Sequence, residues 1–255
     1  MRSFRLLLAL TLGTTLAAGT ALADGISSGV PYALSVTVGT NTFQLADLDV
    51  TYVPTGDGSG GTWSLNAPAV TEFGIISDWD STYNIDPQVS NNFTVVNNTL
   101  ASQIFSVTVI SPIAPVLPTS LMRGSIGITL TDTGPLVNDE TDGLATLSST
   151  LGEGIYRAFL DGSEVKELFP DPSMVSCFLP NCTVTQNADF GIPVRIPGPG
   201  ASLTMGITVQ FILTPGDSAS ITSVFNIIPV PEPSTAGMLA LGLLVLAIVR
   251  RRQHA

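Results

Sequence analysis

The 255-residue chain holds 20 acidic and 9 basic residues, for a formal net charge of −11 and a pI near 4.2. A chain this acidic is repelled by nucleic-acid phosphates and by anionic lipid headgroups. Its single histidine is His254, which leaves the body of the chain without a histidine base for a serine or cysteine nucleophile and without an imidazole ligand for zinc.

At the start, Arg2 and Arg5 precede the apolar run Leu6 to Leu12, and small residues follow up to Ala21-Leu22-Ala23. This order predicts a signal peptide over residues 1–23. Secretion machinery would export the chain, and signal peptidase would cut after Ala23, with Ala21 and Ala23 as the small cleavage-site pair. A first transmembrane helix is the rival reading, but Thr11, Thr14, Thr15 and Thr20 make the stretch weakly apolar. Residues 24–229 then form one exported domain, long enough to bury a core. It contains 19 of the 20 acidic residues and only Arg123, Arg157, Lys166 and Arg195 as bases, a formal charge of −15.

The body reads as short strands broken by Gly, Pro, Asn and Asp. Ala33–Val38 alternates, Gly39-Thr40-Asn41 turns it, and Thr42–Val53 runs back. Thr55–Gly61 reads as a loop tip, Trp63 and Leu65 begin a short strand, and Val70–Ile76 makes another that Asp78-Trp79-Asp80 ends. Asn92–Val96 and Gln103–Ile110 read as a hairpin. Pro112, Pro115 and Pro118 mark a crossing segment before the strand Ser125–Thr131. An acidic loop, Asp132–Gly143, leads to short strands at Ala145–Thr150 and Ile155–Leu160, and Ser163–Phe169 reads as one helical turn. Prolines break Phe190–Pro199, and Leu203–Leu213 with Ser218–Ile228 reads as a hairpin across Thr214–Asp217. The pattern predicts an all-β fold, an antiparallel β-sandwich of jelly-roll-like type.

Cys177 and Cys182 predict a disulfide in an exported chain. A Cys-x4-Cys metal site is the alternative, but no second ligand pair exists. Asn138-Asp139-Glu140-Thr141-Asp142-Gly143 offers hard oxygen ligands for calcium without the spacing of an EF-hand, against the plainer reading of an exposed acidic turn. No other cofactor is expected. Asp78 and Asp80 could serve as a glycosidase carboxylate pair beside Trp79, against the reading of a solvated strand end with Trp79 in the core. Trp63 and Tyr83 could face a sugar or pack in the core. Asn92, Asn97 and Asn181 head Asn-x-Ser/Thr sequons, as chance composition also allows.

Residues 230–255 close the sequence in three parts. Val230-Pro231-Glu232-Pro233-Ser234-Thr235 is stiffened by two prolines and displays one acid. Ala236 to Val249 is an uncharged run of 14 residues, about 21 Å as a helix against a hydrocarbon core of about 30 Å. Arg250, Arg251 and Arg252 form a stop that favours the cytoplasmic side. These parts predict a short transmembrane helix that holds the body outside.

In order and spacing, Val230–Arg252 resembles a PEP-CTERM sorting signal. The resemblance implies recognition by an exosortase, with Pro231, Glu232 and Pro233 as recognition residues, and a link to exopolysaccharide and biofilm. It implies an exported chain, anchored at the inner membrane and then moved to the cell surface or the medium. Phe93–Ile113, Tyr156–Phe169 and Leu213–Val224 also resemble domains found upstream of that signal, which have no assigned activity. The expected function is a non-catalytic surface or matrix protein, with a carbohydrate-binding module, calcium-assisted or not, and a secreted glycosidase as alternatives. Extracellular polysaccharide is the expected further partner.

Overall fold

The computed structural model describes residues 33–56, 59–84, 87–133 and 144–230. The strands in chain order are β1 (Ala33–Val38), β2 (Asn41–Gln44), β3 (Val50–Pro54), β4 (Gly60–Leu65), β5 (Ala69–Val70), β6 (Ile75–Asn84), β7 (Gln88–Val96), β8 (Gln103–Pro112) and β9 (Ser120–Thr131), followed by β10 (Ala145–Ser148), β11 (Tyr156–Leu160), β12 (Ser163–Leu168), β13 (Met174–Cys177), β14 (Thr183–Phe190), β15 (Ile196–Gly198), β16 (Thr204–Leu213) and β17 (Ser218–Pro229). All pairings are antiparallel. One sheet runs β12-β11-β16-β8-β1-β2, with β10 between β16 and β13. The other runs β14-β9-β17-β7-β6-β4-β3, with β15 on β9 and β5 on β6. No α-helix occurs among the described residues.

The apolar faces of the two sheets meet in one core. Strict alternation produces it: Phe105, Val107 and Val109 on β8, Ile126, Ile128 and Leu130 on β9, and Ile207, Val209, Phe211 and Leu213 on β16 are all buried. Phe211 stacks on Phe93 of the opposite sheet, with centroids 6.4 Å apart, and on Phe105 at 5.9 Å. Tyr156, fully buried on β11, donates its hydroxyl across the core to the Val224 carbonyl at 2.9 Å. Burial therefore lifts this phenol above its ordinary pKa.

Two expected hairpins are arches between the sheets. β7 lies in one sheet and β8 in the other, and the same holds for β17 and β16. Each strand has a largely apolar inner face, with Asn91, Ser111 and Ser223 as buried polar exceptions on β7, β8 and β17, and the two faces of a pair meet across the core instead of lying side by side. The arches are bonded to each other through Asn97, which has no exposed surface. Its amide nitrogen donates to the Ala101 carbonyl at 2.8 Å, Leu213 at 2.9 Å and Thr214 at 3.1 Å, while its side-chain oxygen accepts from the Thr99 amide and hydroxyl. Its backbone exchanges bonds with Asp217 and Gly216.

Local propensity also misleads at Ser163–Phe169, where Glu and Lys suggest a helical turn. Asp161 and Gly162, at φ 48° and 77°, instead form a two-residue turn that folds β12 back on β11 as a hairpin. The exposed Glu164, Lys166 and Glu167 then sit on the edge strand of the sheet, where charge discourages further pairing. The Asp161 carboxylate accepts from the amides of Ser202, Leu203 and Thr204 and from the Ser202 hydroxyl, all within 3.0 Å.

Smaller revisions follow the same logic. The predicted strand Thr42–Val53 is split by a 3₁₀ turn at Leu45–Asp47, where Asp47 accepts from the Gln44 amide. Asp78-Trp79-Asp80 lies inside β6 instead of ending a strand, because a bulge between Ile76 and Asp78 lets pairing with β7 continue. Gly60 and Gly61 belong to β4, and Ile196–Gly198 pairs with β9. The predicted disulfide joins Cys177 to Cys182, and the loop it closes crosses from β13 in one sheet to β14 in the other.

One end of the sandwich collects Ala33, Pro112, Ser120, Thr204 and Pro229, so both boundaries of the described body lie together. The arches at Asn97 and Thr214–Asp217 form the far end.

Asn97→Ala removes a donor shared by three carbonyls of the far end. It should lower the unfolding free energy by roughly 1–3 kcal/mol in denaturant titration, the cost of buried groups left unsatisfied. Desolvation pushes the Asp161 pKa up, but the hydrogen bonds from residues 202–204 outweigh it and hold the folded value below the ordinary 3.8. The contribution of Asp161 is thus complete above that unfolded value and is lost as pH falls through the folded one. Asp161→Asn should melt below the parent at pH 7, and the gap should narrow below about pH 4.

Candidate functional site

The residues that sequence patterns single out fall in three places. Val230 is described: it leaves β17 with its amide 3.5 Å from the Thr119 carbonyl. Pro231, Glu232, Pro233, Ser234, the 236–249 run, Arg250, Arg251, Arg252, Ala21, Ala23 and the calcium candidate 138–143 lie outside the described residues.

A second group faces the core. Trp79 is buried and donates its indole N–H to Asn91 at 2.8 Å. Tyr83 is buried with its hydroxyl bonded to that of Tyr52, whose ring lies 4.8 Å from Trp63. These aromatics hold the β3-β4-β6 region together and offer no platform to a sugar. Among the sequons, Asn97 is consumed by the arch, Asn92 is bonded within the sheet, and Asn181 is exposed in the disulfide loop at φ 55°.

The third group shares one surface, the outer face of the sheet containing β9 and β17. Side-chain alternation puts polar residues outward on every strand, and the register aligns them in rows. One row runs Asn187, Gly127, Thr222, Asn92, Asp80, Ser64 and Thr51 across β14, β9, β17, β7, β6, β4 and β3. Beside it runs Thr185, Thr129, Ser220, Thr94 and Asp78. Within the rows Thr222 donates to Asn92 at 3.1 Å, Asn92 donates to Asp80 at 3.3 Å, and the Thr94 and Ser220 hydroxyls lie 2.9 Å apart.

At the centre a groove of about 430 Å³ opens between β14, β9 and β17. Its walls include Ser125, Thr129, Thr185, Asn187, Asp189 and Thr222. Gly127 forms its floor: a Cβ there would meet the Asn187 side-chain oxygen at 2.9 Å and lie 4.0 Å from the Thr222 carbonyl. The outer face of the other sheet is less uniform. Phe159, Gly206 and Ile110 interrupt its polar rows around a depression of about 180 Å³.

Of this face, the sequence pointed only to Asp78, Asp80 and Asn92. Asp78 and Asp80 both face outward, on a surface open to solvent. Gly127, Asn187 and Asp189 were missed because strands distant in sequence bring them together. The one sequence signal was the outward alternation of Ser and Thr on each strand. No three His, Cys, Asp or Glu residues among those described cluster to hold a metal.

No curated protein matches the chain. Among solved structures, a cyclase from Fischerella sp. TAU in complex with 4-(1H-indol-3-yl)butan-2-one matches at 10% identity with a TM-score of 0.26, over 70% of this chain and 98% of that one. So low a score carries no structural or chemical argument. Residues 229–253 match the family model of the PEP-CTERM protein-sorting motif. Pro229, which ends the central strand of the polar-faced sheet, and Val230, which leaves it, are thus the first two residues of that match. The chain carries a PEP-CTERM sorting signal spliced directly to its folded body, the mark of an exported protein sorted by an exosortase.

Proposed function

We propose that the body is a non-catalytic component of the cell surface or extracellular matrix, tied to exopolysaccharide and biofilm, which lays the polar face of its β9-β17 sheet against neutral polysaccharide. The observation that carries this reading is the seven-strand row with Gly127 at its centre. Adjacent strands lie about 4.8 Å apart, so hydroxyl and amide groups recur across the face at a spacing comparable to one hexose of an extended chain. Each offers donors or acceptors to a sugar, and water can bridge where direct contact fails. Asp78, Asp80 and Asp189 make the face anionic, which favours neutral over acidic polymers.

Binding is favoured over hydrolysis by the surroundings of the carboxylates. Asp80 accepts from Asn92, and Asp78 stands exposed beside a strand bulge. Glycoside cleavage needs two carboxyl groups flanking the bond from opposed walls, whereas these two project from one side of a single strand. The β7–β8 and β16–β17 arches, wrapped against each other with β7 on β17 and β8 on β16, support the jelly-roll-like reading of the sandwich. A secretory leader cut after Ala23 and an inner-membrane intermediate complete the proposed route.

Affinity electrophoresis through a panel of neutral polysaccharides tests the face. The parent chain should be retarded, and Gly127→Gln, which fills the groove against a movable Asn187 amide, should weaken retardation at least tenfold with little change in melting temperature. Equal retardation of both proteins, or none of the parent, would remove the support for this face.

A further inference from the structure

We infer that, while the chain is anchored, the end of the sandwich from which residue 230 leaves docks on the phospholipid headgroups. The inference rests on reading 236–249 as the membrane span of the sorting signal.

Tether length is the first argument. Only residues 231–235 separate Val230 from the apolar run, so Val230 stands at most about 20 Å from its first residue however the segment is arranged. The headgroup layer takes up about 5–8 Å of that distance. A 14-residue run is also shorter than the hydrocarbon core. Such mismatch draws flanking residues toward the interface and removes slack. β17 alone is about 40 Å long and ends at this boundary, so the body is larger than its leash.

What this end exposes is the second argument. Val194 is 77% exposed, Leu203 69% and Val116 62%, in the loops that precede β15, β16 and β9. Arg123 and Arg195, half of the basic residues of a body at −15, lie beside each other there, and the Arg195 guanidinium donates to the Asn226 carbonyl. Guanidinium groups pair with phosphate oxygens, and aliphatic tips enter the headgroup boundary. Among the described residues the carboxylate at this tip is Asp161, whose oxygens are taken by residues 202–204; Glu164 lies farther along β12, and Asp189 on β14 lies one row farther from the tip than Arg123. Asp57 and Asp86 lie outside the described residues. Among the described residues the remaining acids lie away from this tip, on the far end with Glu72, Asp132, Glu153, Asp171 and Asp217 and on the β9-β17 face with Asp78, Asp80 and Asp189.

The full chain in nanodiscs that carry a gadolinium-chelating headgroup lipid tests the inference by methyl NMR. Signals of Val116, Val194 and Leu203 should broaden, while those of Leu100 and Leu151, exposed at the far end, should not. Val194→Asp and Arg123→Glu alter exposed side chains and should each reduce the broadening at Leu203. Equal broadening at both ends, no broadening, or broadening that ignores both substitutions would overturn docking. A chain that never enters the nanodiscs would instead overturn the reading of 236–249, and docking with it.

Discussion

The buried amide of Asn97 is the constraint on which the architecture turns. A sandwich built from arches must bend its chain from one sheet to the other without orphaning backbone groups in the core. Asn97 meets that need at two bends together, because three carbonyls at the 97–101 and 213–214 corners take its amide hydrogens and the Thr99 groups take its oxygen. Removing the amide would leave acceptors of both corners dry. With the corners fixed, β7 must lie on β17 and β8 on β16, and the register of the central strands follows.

That register determines the chemistry of the surface. A one-residue slip would turn Thr222 and Thr129 inward and Ile221 and Ile128 outward, so the buried face locks the exposed one. The rows are a by-product of core packing until Gly127 interrupts them. A missing side chain at the middle of a polar row opens a trough that no single strand would display. The same face contains the central strand, β17, whose last residue, Pro229, is the first residue of the sorting-motif match.

Much of this was legible in the residues. Alternation on Gln103–Ile110 and Ser125–Thr131 identified inward and outward faces, Gly39 marked a true hairpin, and Cys177 with Cys182 gave the disulfide. Pairing partners were not legible. Asn97-Asn98-Thr99 and Pro215-Gly216 have the composition of hairpin turns, and nothing within either segment says that its flanking strands belong to opposite sheets. At Ser163–Phe169 the helix-forming residues outweighed the Asp161-Gly162 turn in a local reading, while in the fold the turn and the partner strand prevail. Trp79 beside two aspartates suggested a sugar site, yet alternation alone sends Trp79 and its neighbours to opposite sides of β6. The groove was the least readable feature, since its walls come from three strands whose residues lie about 30 to 100 positions apart in sequence.

β17 has a neighbour along its whole length on one side, β9 from Ser120 to Thr131, and β7 along most of the other. Under the proposed function, tension transmitted through the chain at residue 230 would pull along the axis of a strand hydrogen-bonded on both flanks. Rupture would have to shear both ladders at the same moment, since neither can be unzipped bond by bond from that direction. The described body thus ends on a strand paired on both sides, a geometry suited to bearing load along its axis.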